Sequence, residues 1–261
     1  MDFITPAQVG PEPASFFSLS MPTGIRALAV LAGGNAGKIL VDDPMRPNWA
    51  FVWEADDGTL YRGGSYSRED LSEAVTRLKA DGLVALGFRE NSPDVKLFPP
   101  DPTAGADCLE FNRPIGASDL SPYLDELPAG YSLRRMDRAL LERSPKYDEN
   151  LNRYGSLENF LTRGLAVCIL HEDNIVCEAY ADMEIGGVRE IGIRTREGHR
   201  RKGLAVRACA HLIHWCEESG SAAYWDCVRL NAGSVALTRK LGFQDERHYR
   251  LLAWFPGKLD E

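Results

Sequence analysis

Residues 188–216 contain the feature that most restricts the fold: a strand pattern, then a cationic turn, then a helix pattern. In VREIGIRT (188–195), Ile191 and Ile193 alternate with polar or small residues, as in a strand. HRRKG (199–203) then places three cations directly before a glycine. The apolar positions that follow recur at helical spacing: Leu204, Ala208, Leu212 and Cys216. The order predicts a strand, a glycine-containing turn and a long amphipathic helix.

The rest of the second half alternates strand and helix patterns with recognisable turns. Residues 131–137 (YSLRRMD) predict a short strand, and residues 139–164 are largely helical in pattern. Further strands are predicted for LAVCIL (165–170), IVCEAYADM (175–183), AAYWDCVRL (222–230) and HYRLLAWF (248–255), with a helix from Asn231 to Leu241 that ends at Gly242.

The first half also mixes strands with a helix. Strands are predicted for IRALAVLAG (25–33), GKILVDD (37–43), NWAFVWEA (48–55), TLYRGG (59–64) and LVALGF (83–88). Ser67 and Asp70 predict a helix start, and the proline-rich residues 92–105 predict a loop. This order is typical of an α/β fold. Pro128 and Gly130 mark a change of pattern, which predicts domains over residues 1–129 and 130–261.

Charge and cysteine content limit the class of protein. Residues 1–130 contain 10 Lys and Arg against 19 Asp and Glu, whereas residues 131–261 contain 20 against 19. An acidic half argues against nucleic-acid binding, because phosphate backbones need basic faces. No run of eighteen apolar residues and no signal-peptide pattern is present, so we expect a soluble, cytoplasmic protein without membrane contact. Six cysteines in apolar segments, without a CxxC pair, predict reduced core residues.

The cationic turn is suited to an anion. A helix start presents backbone N–H groups that have no partner within the helix, together with the positive end of the helix dipole. Gly203 lets an anion approach the backbone, and Arg200, Arg201 and Lys202 add positive charge. The alternative is an exposed basic loop beside a helix start. The patterns GxGxxG and GxxxxGK[ST] are absent from this segment.

Two motifs together carry a family resemblance. Residues 200–205 match the pattern R/Q-x-x-G-x-G/A, and Asn231 and Ser234 open the helix that ends in KLGF (240–243). The chain therefore resembles the GNAT superfamily of acyl-CoA-dependent N-acetyltransferases over roughly residues 130–261. The resemblance implies an α+β domain with a mixed, mostly antiparallel, splayed sheet flanked by helices. Residues 1–129 would form an accessory α/β domain, with a degenerate GNAT-like half as one interpretation.

The resemblance implies acetyl-CoA as cofactor and assigns residues to it. Residues 193–195 would contact the pantetheine arm through the backbone, and residues 200–205 would bind the diphosphate. Asn231 and Ser234 would contact the arm or else stabilise the helix start, and Lys240 would approach the phosphates or remain solvated. The full set of cofactor residues is Ile193, Arg194, Thr195, Arg200, Arg201, Lys202, Gly203, Leu204, Ala205, Asn231, Ser234 and Lys240.

Candidate catalytic residues follow from the same resemblance. Glu190 corresponds to a glutamate that some GNAT members use as a base, although an exposed strand carboxylate is the alternative. Asp226 could hold a cationic acceptor or cap a loop. Ser234 or Tyr224 could protonate the leaving thiolate, which could otherwise leave unprotonated into solvent. Many members have a tyrosine as general acid where this chain has Thr238, which cannot match a phenol's acidity.

The resulting hypothesis is acetyl transfer to a primary amine of a small molecule: an amino acid, a polyamine or an amine-bearing antibiotic. A catalytically idle acyl-CoA sensor or partner-binding protein is the alternative. His199, His211 and His214 lack a completing ligand set, so we expect no metal site. The acceptor, the acyl chain length and the choice between monomer and homodimer stay open.

Overall fold

The computed structural model describes residues 1–125, 127–181 and 184–255. Backbone contacts divide the chain into two compact units. The first consists of residues 1–109 with the described part of 248–261, and the second of residues 110–247. The domain boundary at residues 129 and 130 stays a prediction. No helix in the described ranges is long and apolar enough to cross a membrane.

The first unit contains a four-stranded antiparallel sheet in the order β1 (Asp2–Ile4), β2 (Gly37–Val41), β3 (Trp49–Glu54) and β4 (Leu60–Gly64). Strand β5 (Val84–Phe88) pairs antiparallel with residues 250–254 of β12 (Gln244–Trp254). The core of this unit surrounds Phe51 and Leu71, both fully buried. The other elements that begin in this unit are α1 (Pro11–Ala14), α2 (Gly24–Leu31), α3 (Arg68–Leu78) and β6 (Ala104–Arg113).

The second unit contains a mixed sheet in the order β6-β11-β10-β9-β8-β7, and β6 and β12 have residues in both units. The pairs β7–β8, β8–β9 and β9–β10 are antiparallel, whereas β10 and β11 are parallel. The remaining elements are α4 (Ser121–Leu124), β7 (Tyr131–Arg135), α5 (Arg138–Glu142), α6 (Tyr147–Tyr154), α7 (Leu157–Arg163), β8 (Leu165–His171), β9 (Asn174–Ala181), β10 (Val188–Thr195), α8 (Leu204–Glu218), β11 (Ala222–Val228), α9 (Ala232–Lys240) and β12 (Gln244–Trp254).

Helix α8 packs on the sheet of the second unit through the apolar stripe that its sequence predicts. The stripe of Leu204, Ala208, Leu212 and Cys216 is buried, and the helix packs on β8 and β9. All six cysteines are buried as free thiols. Burial raises the pKa of Cys168 to about 12 and that of Cys177 to about 11, so these thiols are packing groups.

Two predictions from the first half are wrong. IRALAVLAG (25–33) was expected to be a strand, but residues 24–31 form α2. A short apolar run does not distinguish a buried strand from a buried helix, and Ala, Leu and Arg favour helix. The loop expected over residues 92–105 holds a 3-10 turn and the first residues of β6. The strand predicted for residues 175–183 ends in two residues that lie outside the described ranges.

Candidate functional site

The strands β10 and β11 separate partway along their length. Their parallel ladder runs from Val188 opposite Ala222 to Glu190 opposite Tyr224. Beyond that pair, residues 191–195 of β10 pair with β9 on one side. Because an unpaired strand edge presents backbone N–H and C=O groups, this part of β10 can hydrogen-bond an extended ligand in the gap.

A cleft of about 610 Å³ lies at this gap. The end of β10, the loop before α8, the first turn of α8 and helix α9 form its walls. The lining residues are Ile193, Arg194, Thr195, His199, Arg200, Arg201, Gly203, Leu204, Ala205, Val206, Asn231, Gly233, Ser234, Ala236, Leu237 and Lys240. The fold thus brings every residue predicted to contact the cofactor to one cleft, except Lys202.

The loop before α8 has the backbone conformation of an anion site. Gly203 is the N-cap residue with φ of +74°, and Arg201 has φ of +60°. Left-handed residues within a turn direct successive N–H groups toward one point. No side-chain hydrogen bond caps α8, and its first turn contains no acidic residue. The N-terminus of α8 is therefore open to an external anion.

Two of the three cations of this loop have different partners. Arg200 donates from Nε to the Thr195 carbonyl at 3.2 Å, which holds the loop against the end of β10. Lys202 donates from Nζ to the Tyr131 hydroxyl at 3.0 Å and does not line the cleft. The side chain of Lys202 therefore lies on β7 and not among the cleft walls, because Tyr131 offers it both a hydroxyl and an aromatic face.

His199 is a lining residue that the sequence interpretation did not assign to the cofactor. Its Nδ1 lies 2.9 Å from the Tyr131 hydroxyl, and its ring lies beside that of His171. Partial desolvation and the neighbouring Lys202 charge lower the pKa of His199, so its ring is largely neutral at pH 7. The pairing with Tyr131 spans 68 residues of sequence, so no local signal announces it.

Asn231 and Ser234 organise the opposite wall. Asn231 caps α9 by accepting a hydrogen bond from the Ser234 amide at 3.1 Å. The Ser234 hydroxyl accepts a hydrogen bond from Trp225 Nε1 at 2.9 Å, which fixes its place in the cleft. Lys240 lies at the far end of α9 with its ammonium over the Tyr123 ring. The capping role of Asn231 is established by this geometry, while its cofactor contact stays a prediction.

The candidate catalytic carboxylates lie where the strands part. Glu190 is 5% exposed and occupies the last position of the β10–β11 ladder, so it is not the exposed strand carboxylate considered as the alternative. Tyr224 opposite it donates to Glu110 Oε2 at 2.7 Å, and Glu110 pairs with Arg247 at 2.9 Å. Asp226 follows two residues later and shares the face of Tyr224. Neither Glu190 nor Asp226 lines the cleft, although Glu190 stands at the last pair before the strands separate.

The proton donors that sequence suggests are not equivalent. Thr238 is fully buried, and its hydroxyl donates to the Val235 carbonyl at 2.8 Å. It therefore cannot reach a ligand in the cleft. Burial first, and then the charges of Asp226, Glu110 and Glu190, raise the pKa of Tyr224 well above its usual value. Of the groups considered, Ser234 alone has a hydroxyl on the cleft wall.

The sheet face opposite α8 carries a second group of polar residues near the gap. Gly192 lies opposite Tyr180 in the β9–β10 ladder, and a methyl group at Gly192 would lie 2.2 Å from the Tyr180 ring. The tyrosine ring therefore needs glycine at this position. Glu178 on the same face accepts a hydrogen bond from Ser144, and burial raises its pKa. Sequence reasoning missed Tyr180 because the ladder register decides which residues meet.

Comparisons with known proteins agree with this architecture. The model of the family described as GNAT acetyltransferase matches residues 101–252. The curated relative YdfB of Bacillus subtilis (strain 168), an uncharacterized N-acetyltransferase, is 30% identical over 128 residues, which are 48% of this chain and 49% of that protein. The chain thus aligns with about half the length of this relative.

Two solved structures resemble the chain over nearly its full length. A GCN5-related N-acetyltransferase-like protein from Streptococcus suis 89/1591 has a TM-score of 0.65 at 23% identity and covers 95% of this chain and 100% of its own. A tandem GNAT protein from the clavulanic acid biosynthesis pathway has a TM-score of 0.61 at 12% identity, with 99% of each chain covered. These likenesses confirm the predicted fold of splayed mixed sheet and flanking helices, and the tandem protein fits a two-part architecture. The family model spans more than half of the sequence, and the chain belongs to the GNAT acetyltransferase family.

Proposed function

We propose that this protein is an acetyl-CoA-dependent N-acetyltransferase that acetylates a primary amine of a small molecule. The observation that carries the proposal is the uncapped N-terminus of α8 at the gap between β10 and β11. A diphosphate fits the open amides of residues 201–205, and an extended pantetheine arm fits the unpaired edge of β10. The acceptor is an amino acid, a polyamine or an amine-bearing antibiotic.

Within this proposal, the chain's own residues perform distinct tasks. Bound acetyl-CoA supplies a thioester whose carbon forms a bond to the amine nitrogen as its bond to sulfur breaks. Glu190 accepts the proton from the ammonium group of the acceptor, directly or through a water, because it sits where the two strands part. A backbone N–H of residues 191–195 polarises the thioester carbonyl.

We propose that the thiolate departs into solvent and that Ser234 stabilises it with a hydrogen bond, because an aliphatic hydroxyl is as weak an acid as that of Thr238. The Ser234 oxygen accepts from Trp225, and its hydroxyl also hydrogen-bonds the Cys227 thiol, so donation to the thiolate requires the hydroxyl to turn away from Cys227. Asp226 is proposed to hold the acceptor's positive charge on the face opposite α8. The wall of the acceptor pocket would include Tyr180, which lies over Gly192 on that face.

A second candidate function is an acyl-CoA sensor without catalysis. The burial of Thr238 favours it, because the usual general acid is missing. The two candidates share the cleft and differ in turnover. We further propose that the protein is cytoplasmic, which its buried free thiols support. We also propose that it binds no nucleic acid, membrane or metal.

The test is thiol release from acetyl-CoA across a panel of amines. An enzyme releases thiol with at least one amine, and a sensor releases none while still binding acetyl-CoA. For the active amine, we expect Glu190→Gln to lower kcat by about 100-fold or more with little change in acetyl-CoA affinity. Glu172→Gln, at an exposed turn, is the matched control. Equal turnover in Glu190→Gln and wild type would refute the role of Glu190.

A further inference from the structure

The first unit repeats the plan of the second. Strands β2, β3 and β4 are antiparallel, helix α3 follows, and β5 returns beside β4 with one parallel bridge, Thr59 opposite Ala85. Beyond that bridge β4 pairs with β3, and β5 pairs with β12. The pair Thr59–Ala85 thus corresponds to Glu190–Tyr224, and β4 and β5 part as β10 and β11 do.

An arginine crosses the gap in the first unit. Three residues beyond the last pair stands Arg62 on β4, in the position that Ile193 has on β10. Its guanidinium donates from Nη1 and Nη2 to the Gly87 carbonyl on β5, at 3.1 and 3.2 Å. Arg62 therefore hydrogen-bonds a backbone carbonyl at the gap between β4 and β5, whereas the second unit leaves the edge of β10 open at its gap.

The arginine is held in place from the other side. Asp94 accepts from Arg62 Nε at 2.8 Å and from Nη2 at 2.6 Å, and it also accepts from the Tyr66 hydroxyl at 2.9 Å. The Arg62 side chain is 7% exposed, and its guanidinium lies over the Phe98 ring. Burial alone would raise the pKa of Asp94, but the Arg62 charge and the hydrogen bonds outweigh it and lower that pKa. The ion pair between Arg62 and Asp94 is thus buried and held by several contacts within the first unit.

The helix start that would receive a diphosphate is also occupied. Ser67 caps α3 and accepts from the Asp70 amide, while Asp70 accepts from the Ser67 amide at 2.8 Å. The first turn of α3 contains Glu69 and Asp70, whereas that of α8 contains no acidic residue. Three residues join β4 to α3 and eight join β10 to α8, so the first unit lacks the length of the cationic loop.

We infer that Arg62 and the α3 cap make the first unit a closed copy of the acyl-CoA fold, and that each chain binds one acyl-CoA, in the second unit. This rests on the function proposed above for the second unit. Arg62 replaces the bound cofactor arm as the element that bridges the parted strands. A cleft of about 380 Å³ beside Arg62 remains, but no residue of α3 lines it. Glu69 and Asp70 place negative charge at the start of α3, which disfavours a diphosphate there. The first unit is therefore maintained by its own side chains and needs no cofactor to fold.

Native mass spectrometry of the full chain with excess acetyl-CoA counts the sites. We expect one equivalent on the wild type and on Arg62→Met, and none on Gly203→Glu. Arg62→Met should lower the midpoint of thermal unfolding because it removes the guanidinium that neutralises Asp94 and that donates to the Gly87 carbonyl. Arg46→Met, at an exposed position of the same unit, is the matched control.

Each outcome decides the inference. Two equivalents on the wild type, or one equivalent on a folded Gly203→Glu variant, would overturn it while leaving acyl-CoA binding in place. Binding of a second equivalent by Arg62→Met alone would support Arg62 as the blocking group and overturn the part given to the α3 cap. No binding by any variant would overturn the proposed function and this inference with it. If Arg62→Met fails to fold, the counts on the wild type and Gly203→Glu still decide it.

Discussion

Replacing Gly203 by glutamate should abolish high-affinity acetyl-CoA binding, because this residue shapes the turn before α8. Gly203 has φ of +74°, where a residue with a Cβ is strained by about 1–2 kcal/mol. A Cβ would also lie 2.8 Å from Arg207 Nη1, a contact that this flexible side chain relieves by moving. The strain therefore lowers the free energy of unfolding by only this amount, and the variant should still fold.

The loss of binding has a separate magnitude. A carboxylate about 5 Å from a phosphate charge costs about 3 kcal/mol at an effective dielectric constant of about 20. Each charge-assisted hydrogen bond lost from a displaced amide adds about 1.5–3 kcal/mol. Together these terms predict a rise in Kd of at least about 100-fold.

Isothermal titration calorimetry measures the effect, with circular dichroism to verify the fold. Gly203→Ala should fall between wild type and Gly203→Glu, because it strains the turn without adding charge. Gly198→Ala is the matched control, since its Cβ would meet open space in the same loop. An unchanged Kd in a folded Gly203→Glu variant would refute the placement of the diphosphate.

Three further predictions concern stability. Arg113→Met should lower the free energy of unfolding in urea by about 3–5 kcal/mol, since Arg113 is fully buried and ion-pairs with Glu217; a loss below 1 kcal/mol would contradict this. Asn231→Ala should cost about 1 kcal/mol through the lost cap of α9, and Asn231→Asp should restore it; equal stability of all three chains would argue against the cap. Because the pKa of Asp94 is lowered in the folded state, its stabilising effect is present above its unfolded pKa of about 3.9 and is lost as pH falls through the folded value. Thermal melts below about pH 4 should therefore drop more steeply for wild type than for Asp94→Asn, and parallel curves would contradict the assignment.

The local sequence predicts those elements whose caps or apolar spacing can be recognised in it. The helix α3 begins after Ser67 as its capping box indicates, and α8 buries the stripe that its spacing predicts. The helix α2 was predicted wrongly because its apolar run lacks a polar face that would reveal the helical period. The strand β6 was missed because its start lies in a proline-rich segment that indicates a loop.

The predictions for the site likewise succeed for contacts that are local in sequence and fail for contacts between distant residues. The residues predicted to contact the cofactor lie in two motifs, one at the turn before α8 and one at α9, and these motifs predict most of the residues that line the cleft. The direction of the Lys202 side chain depends on Tyr131, 71 residues away, and sequence could not supply it. The burial of Glu190 depends on the register between β10 and β11, and the proposed closure of the first unit depends on Arg62 meeting Asp94 across 32 residues. Contacts of this kind are set by the tertiary fold.

The most direct measurement is a crystal structure of the protein grown with acetyl-CoA. We expect one ligand per chain, with diphosphate oxygens about 3 Å from the amides of residues 201–205 and the pantetheine arm along β10. Density for the diphosphate at the start of α3, or anywhere away from the turn before α8, would contradict it.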